Sequence, residues 1–127
     1  MKIIISNHST RPLYEQIKDQ LKDTILQGEL AEGEALPSIR TFATDLKVSV
    51  LTIRRVYDEL EQEGFVTSQV GKGTFVSSGN MELLRDARRR RVEEKMAAMI
   101  ADAQALGIHK DELIAMMDIL YEEDDYE

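Results

Sequence analysis

Residues 47–76 read KVSVLTIRRVYDELEQEGFVTSQVGKGTFV, and this stretch decides the fold. Apolar residues recur along its first half at spacings of three and four, which is the pattern of an amphipathic helix with one buried face. They are Ile53, Val56, Tyr57 and Leu60. Ser49 is placed to cap this helix, because its hydroxyl can accept from a backbone N–H of the first turn, and Gly64 ends it.

Two short strands follow the helix directly. Phe65–Thr67 and Thr74–Val76 are rich in residues that favour strands, and the loop between Gln69 and Gly73 contains glycines that permit turn conformations. At the other end of the helix, Thr52, Arg54 and Arg55 place hydroxyl and guanidinium groups in the first turns. Such an end is suited to phosphates and base edges, so we expect a helix that reads DNA.

Two further helices precede this stretch. Pro12 suits the first turn of a helix, with Ser9 or Thr10 near its cap, and the helix ends at Gly28. Its apolar positions are Leu13, Ile17, Leu21 and Ile25. Residues 2–6 give only a weak signal for an edge strand.

A second, short helix opens at Pro37 and leads into the third. Its apolar face comprises Ile39, Phe42, Ala43 and Leu46. Only Lys47 and Val48 separate it from the Ser49 cap, which is the spacing of a helix-turn-helix. The predicted fold is mainly α with a small β-hairpin wing, a winged helix-turn-helix followed by a two-helix dimerisation region.

Turn-forming residues at 77–80 predict a boundary between a DNA-binding domain at 1–78 and a helical dimerisation and effector region at 79–127. That region reads as a long helix over 81–106 and a last helix opening near Asp111. One helical pair is too thin to bury such broad apolar faces, so a second chain would complete a four-helix arrangement. The predicted dimer interface contains Val92, Met96, Met99, Ile100, Ala103, Leu113, Met116, Met117 and Leu120. The alternative is a ligand cleft lined by adaptable methionines.

The net charge of −8 is unevenly distributed along the chain. Residues 1–78 carry a balance of −2, whereas residues 79–127 carry −6. A DNA-binding surface depends on charge within a Debye length, so the total does not exclude nucleic acid. The negative total charge predicts modest non-specific affinity for DNA and strong sensitivity of binding to salt.

Several classes of protein are disfavoured by the composition. The chain has no cysteine, which excludes disulfides and thiolate metal sites, and it has no apolar run long enough to span a bilayer. The N-terminus lacks a full signal region, so we expect a cytoplasmic protein without a membrane partner. No nucleophile–base pair, metal constellation or phosphate-binding loop is recognisable, so we predict no metal, no cofactor and no enzymatic activity.

Motifs at characteristic spacing run through roughly the first sixty per cent of the chain. They are PLYEQI at 12–17, LPSIR at 36–40, VS at 48–49, TIRRVY at 52–57, Leu60, EG at 63–64 and GKGTFV at 71–76. In these motifs the chain resembles the GntR family of bacterial transcription regulators. Its short C-terminal region is similar to the YtrA-type subfamily, whose members lack the larger ligand-binding domains of other GntR proteins.

The resemblance implies a homodimeric repressor on a roughly palindromic double-stranded operator, with neighbouring transporter genes and an effector that the sequence does not identify. It also implies DNA contacts from the arginine after Pro-Ser, the start of the third helix and the wing tip near Val70. The predicted DNA-binding residues are Ser38, Arg40, Ser49, Val50, Leu51, Thr52, Arg54, Arg55, Gly71, Lys72 and Gly73.

The chain departs from many relatives at Val50, where they carry a base-reading arginine. Val50 or Leu51 could instead touch a thymine methyl group. Base reading would then depend more on Thr52, Arg54, the wing and DNA shape.

Each basic candidate has an alternative role. Arg55 can pair with Glu59 at i, i+4, and Arg40 can pair with an acid such as Asp45. The run Arg88–Arg91 points all round its helix, which favours ion pairs with Asp86, Glu93 and Glu94 over phosphate contacts. The alternative function is a protein-interaction module whose acidic C-terminal region binds a basic partner.

Overall fold

The computed structural model of the chain describes residues 2–124, and over this range the chain forms five helices and one antiparallel hairpin. The helices are α1 (Leu13–Leu26), α2 (Ile39–Leu46), α3 (Val50–Gln62), α4 (Met81–Ala105) and α5 (Lys110–Asp124), and the strands are β1 (Val66–Gln69) and β2 (Gly73–Val76). The predicted winged helix-turn-helix is confirmed. The structure divides into two compact units after Arg88.

The first unit has a continuous apolar core. Helices α1 and α2 both pack against α3, and β1 follows α3 closely. The most deeply buried side chains are Ile17, Leu21, Ile53, Val56, Leu60 and Val66. All three α3 positions in this set belong to the predicted apolar face, so the periodicity of the sequence set the orientation of α3 correctly.

The start of α1 differs from the prediction. Pro12 is itself the N-cap and no side chain caps the helix, whereas the Ser9 hydroxyl accepts from the Arg11 N–H at 3.1 Å. Residues 2–6 form no strand. Instead, Gln20 bonds both the N–H and the carbonyl of Ile4, at 2.7 and 2.6 Å, so a glutamine side chain replaces the expected backbone pairing.

The turn between α2 and α3 is tight. The Ser38 and Ser49 hydroxyls each accept from the backbone N–H three residues on, at 3.1 Å, and so cap α2 and α3. Ser38 is the cap of α2, so Pro37 lies outside the helix that it was predicted to open. Lys47 adopts a left-handed conformation with φ of 58°, which reverses the chain between the two helices.

The wing contains more pairing than the sequence predicted. Strands β1 and β2 are antiparallel with Val66 opposite Val76. The connection between α1 and α2 adds a third row on the other side of β2, where Ala35 pairs with Phe75 and the Leu36 N–H donates to the Thr74 carbonyl at 2.8 Å. This pairing ties the wing to the segment that leads into α2.

The first turns of α4 belong to the first unit. Leu84 and Ala87 are buried in its core, and the Arg88 Nε donates to the Leu26 carbonyl at 2.7 Å. The last turn of α1 contains no basic residue of its own, so Arg88 supplies the positive charge that a helix C-terminus favours. The two units divide beyond the boundary that the sequence predicts after Ser78.

The second unit consists of the rest of α4, α5 and the turn between them. Ala103 is its only buried apolar side chain within the described residues. Over the same residues, α4 and α5 make almost no close backbone contact with each other. No described helix is both long and apolar enough to cross a membrane.

Candidate nucleic-acid interface

The N-terminal turn of α3 points its side chains outward. Ile53 is fully buried and fixes the rotation of the helix, which leaves Val50 40% and Leu51 75% exposed. The Ser49 hydroxyl bonds both the Thr52 N–H and the Thr52 hydroxyl, the latter at 2.8 Å. These two hydroxyls therefore shape the helix start, while the neighbouring N–H groups of the first turn are available to a phosphate.

Three of the basic residues predicted to bind DNA are exposed and can bind an anion. Arg40 lies in the first turn of α2, Arg54 in the second turn of α3, and Lys72 in the wing turn. Within residues 2–124 none of the three forms an ion pair. The alternative ion pair of Arg40 with Asp45 is thus not formed.

Arg55 is placed differently from its neighbour Arg54. Its Nε donates to Glu59 at 2.9 Å, and its guanidinium carbon lies 3.4 Å from the centre of the Tyr14 ring. The i, i+4 ion pair offered as the alternative role of Arg55 is confirmed. The stacking on Tyr14 comes from α1 and was not predicted, since nothing local in the sequence relates the two residues.

A charged cluster fixes α3 on α1. Lys18 lies 3.1 Å from Glu59 and 2.5 Å from Glu63, and Lys22 lies 3.2 Å from Glu63. Hydrogen bonds from Lys18 and Arg55 lower the pKa of Glu59. Burial raises the pKa of Glu63, but hydrogen bonds from Lys18 and Lys22 outweigh it and leave that pKa below its ordinary value. Lys18 and Lys22 are four residues apart, as are Glu59 and Glu63, and this matching spacing is the sequence signal that could have indicated the cluster.

The wing tip is an exposed turn over 69–72. The Lys72 N–H donates to the Gln69 carbonyl at 3.0 Å, and Gly71 has φ of 76°, in the region that glycine favours. Val70 is fully exposed and Lys72 is exposed beside it. The wing therefore presents one apolar side chain and one cation.

The aromatic ring of α3 is not available for stacking on bases. Tyr57 is buried, its hydroxyl donates to the Pro37 carbonyl at 2.7 Å, and its ring centre lies 6.2 Å from that of Phe42. Burial raises the pKa of Tyr57. Phe75 is half-buried in the wing. The prediction that Tyr57 is part of the core is confirmed.

The arginine run at the start of α4 has separate local roles. Arg89 pairs with Glu93 at 3.1 Å and Arg91 with Glu94 at 3.8 Å, as the sequence predicted. Arg88 instead binds the end of α1. Sequence reasoning missed that contact because its partner is a backbone carbonyl far away along the chain.

The second unit carries a continuous exposed apolar surface. A groove of about 510 Å³ lies between α4 and α5 and is lined by Met96, Met99, Ile100, Leu113 and Met117 among others. Val92, Met116 and Leu120 are also exposed. Of the predicted interface residues, Ala103 differs, because it is only 5% exposed and is already buried by its own chain.

Comparison with known proteins identifies the family to which a chain with this geometry belongs. Residues 13–76 match the family described as bacterial regulatory proteins, gntR family. The chain is 33% identical over 111 residues to the HTH-type transcriptional repressor YtrA of Bacillus subtilis, covering 87% of this chain and 85% of that protein.

Solved structures agree with this match. A GntR family transcriptional regulator from Listeria monocytogenes superposes with a TM-score of 0.78 at 27% identity, over 87% of this chain and 96% of that one. The AraR DNA-binding domain in complex with operator ORR3 gives a TM-score of 0.52 at 27% identity, over 61% of this chain and 93% of that one. The chain belongs to the GntR family of bacterial transcription regulators, with YtrA-like relatives, and is a DNA-binding regulator and not an enzyme.

Proposed function

We propose that the protein is a homodimeric repressor that binds a roughly palindromic operator with α3 of each chain in a major groove. The observation that carries this proposal is the outward-facing start of α3, where Ser49 caps the helix and Arg54 is exposed without an acidic partner among the described residues. Arg40 from α2 and Lys72 from the wing extend the surface on either side. Similarity to the YtrA repressor supports repression, and similarity to the AraR DNA-binding domain, which was solved with its operator, supports operator binding.

The residues of this surface have different roles in the proposal. Arg54 and Thr52 read base edges, and Arg40 and Lys72 bind phosphates or the flanking groove. Ser38 and Ser49 hold the helix starts at the backbone of the DNA, and Gly71 and Gly73 shape the wing turn. Arg55 is engaged by Glu59 and Tyr14, so in this proposal it holds α3 on α1 and does not contact base edges.

The experiment starts with selection of operator sequences from random duplexes, followed by fluorescence anisotropy. Affinity should fall with salt, each neutralised phosphate adding about −0.9 to the log–log slope. Arg54→Ala should lose sequence preference, because a good base contact by arginine is worth about 1–3 kcal/mol of discrimination.

Arg55→Ala is the matched control. It removes an arginine one position away from Arg54, but one whose guanidinium is already paired with Glu59. It should retain the preference for the selected sequence. An Arg54→Ala protein that binds the operator as well as the parent would contradict the assignment. Selection that enriches no sequence would favour a protein-interaction module instead.

The dimer is supported by the apolar groove of the second unit and by the exposure of Met96, Met99, Ile100 and Met117. Burying this apolar surface would stabilise the protein, and α4 and α5 of a second chain can cover it. Two chains also present two recognition helices to two half-sites. Sedimentation at micromolar concentration should show a dimer, and a folded monomer would overturn this part of the proposal.

Repression and its relief complete the proposal. In cytoplasm the dimer would block transcription from its own promoter, and an effector would act by changing the separation of the two recognition helices. A reporter gene behind the selected operator should be expressed more strongly when the regulator is deleted. Reduced expression on deletion would identify an activator.

A further inference from the structure

The leading edge of α3 is apolar where a DNA-reading helix usually carries hydrogen-bonding groups. Leu51 is 75% exposed and Val50 is 40% exposed at the first two positions of the helix. Neither side chain has a donor or an acceptor for a base edge. Both positions follow the Ser49 cap directly, so the backbone there is fixed.

Leu51 lies at the centre of the outward side of α3. Successive residues of an α-helix turn by about 100°, which places Leu51 opposite the face formed by Ile53, Val56, Tyr57 and Leu60. Arg54 and Arg55 flank it, and Asp58 lies two turns further along the same side. Leu51 is therefore the side chain of α3 that meets the floor of a groove first.

A single exposed leucine is ordinary on a protein surface. Its position distinguishes this one, because a helix docked at its N-terminal end brings that position against base edges. In the major groove, thymine alone presents a methyl group, and apolar side chains recognise it by contact. Hydrogen-bonded reading of guanine is excluded for Leu51 and Val50 by their chemistry.

We propose that Leu51, with Val50 beside it, is a specificity-determining residue that reads thymine 5-methyl groups in each operator half-site. The inference rests on the proposed docking of α3 in the major groove. It adds that the bases facing the helix start are A·T pairs with thymine turned towards Leu51. Arg54, one turn further on, reads the neighbouring base pairs by hydrogen bonds.

The experiment deletes only the methyl group. Each thymine of the selected half-site is replaced singly by deoxyuridine, which keeps base pairing and the O4 acceptor, and affinity is measured by fluorescence anisotropy. At the thymine that contacts Leu51, binding by the unmodified protein should weaken about fourfold, the value for losing burial of one methyl-sized group. At the other thymines it should change little.

The Leu51→Ala variant tests whether the methyl effect depends on Leu51. Leu51→Ala should bind the thymine operator more weakly and should no longer distinguish uracil from thymine at that position. Because Leu51 is exposed, Leu51→Ala should keep the unfolding temperature of the parent, which a thermal melt checks. Ile4→Ala is the matched control, since Ile4 is a branched apolar residue that is 67% exposed and lies outside α3, and it should retain the uracil penalty.

The possible results separate this inference from the proposed function. If a sequence is selected and Arg54→Ala loses it, but no uracil substitution weakens binding, the thymine inference is wrong and the docking of α3 stands. A uracil penalty that persists in Leu51→Ala also overturns it. If no sequence is selected at all, the docking and the thymine inference fail together.

Discussion

The two units of this chain stabilise themselves in different ways. In the first unit, apolar residues from α1, α2, α3, the start of α4 and the hairpin are buried together, and the exposed side chains of α3 itself are polar except at Val50 and Leu51. In the second unit, Met96, Ile100 and Met117 are exposed and only Ala103 is buried among the described apolar residues. A helix of this kind gains little from its own chain, so its stability depends on what covers it.

This difference shows that exposed apolar side chains have two meanings in one molecule. At the start of α3 there are only two such residues, Val50 and Leu51, on a capped helix. Their exposed apolar surface is about large enough to contact one base. Along α4 and α5 they form a continuous surface, which on a protein marks an interaction site. Variants that test each unit separately should therefore have different consequences for folding and for DNA binding.

The largest effect is expected from a charge in the apolar groove. Met99→Glu should convert the proposed dimer to a monomer and weaken operator binding by about a hundredfold or more, because linking two DNA-binding units raises affinity by about 10²–10⁴. Sedimentation and fluorescence anisotropy measure the two losses. Ala101→Glu is the control, since it adds the same charge to the other side of α4, and it should remain dimeric.

A core substitution should affect the first unit alone. Leu60 is fully buried, so Leu60→Ala should lower the free energy of unfolding by about 2–5 kcal/mol. Leu120 is 57% exposed, and Leu120→Ala should leave the unfolding of the first unit unchanged while weakening association. Urea unfolding followed by circular dichroism distinguishes the two. Equal losses would show that the units do not unfold separately.

A smaller loss is expected at the contact between Gly64 and the start of α4. Gly64 has φ of 90°, and a Cβ there would lie 2.8 Å from the Leu83 side chain. Gly64→Ala should cost the backbone strain of about 1–2 kcal/mol and the displacement of Leu83. Gly28→Ala is the control, because Gly28 also has positive φ but nothing lies within 4 Å of its added Cβ. A thermal melt should show the larger loss for Gly64→Ala.

The smallest effect concerns pH. The pKa values of Glu59 and Glu63 are lowered on folding, so their stabilisation is present above the unfolded value of about 4.3 and is lost as pH falls through the folded pKa. Glu63→Gln should therefore flatten the loss of stability on acidification, by about 1 kcal/mol or less for such partly exposed pairs. Melting temperatures between neutral and acidic pH measure it. Glu32→Gln, at an exposed site in the loop before α2, should keep the slope of the parent.

The sequence predicted those features that depend on neighbouring residues. The periodicity of α3, the Ser49 cap, the glycine turn of the wing and the Arg55–Glu59 ion pair all involve residues within a few positions of each other. The exposure of Arg40, Arg54 and Lys72 followed from the same pattern. These residues remain predicted DNA contacts.

The features that sequence reasoning missed join distant parts of the chain. The third row of the wing pairs Ala35 with Phe75, and Tyr14 stacks on Arg55 from another helix. Neither contact leaves a periodic signal in its own segment. The predicted cap of α1 was wrong, because Pro12 is the N-cap, and the contacts of Gln16 and Gln20 with the backbone of Ser6 and Ile4 also join separate segments.

The hydrogen bond from Arg88 to Leu26 determines how the DNA-binding part could be moved to another protein. A fragment that stops at Ser78 would leave the C-terminus of α1 without its guanidinium and would open the core where Leu84 and Ala87 lie. A fusion that joins this part to a different dimerisation module must therefore carry the first two turns of α4. The fusion point belongs after Arg88, where the first compact unit ends.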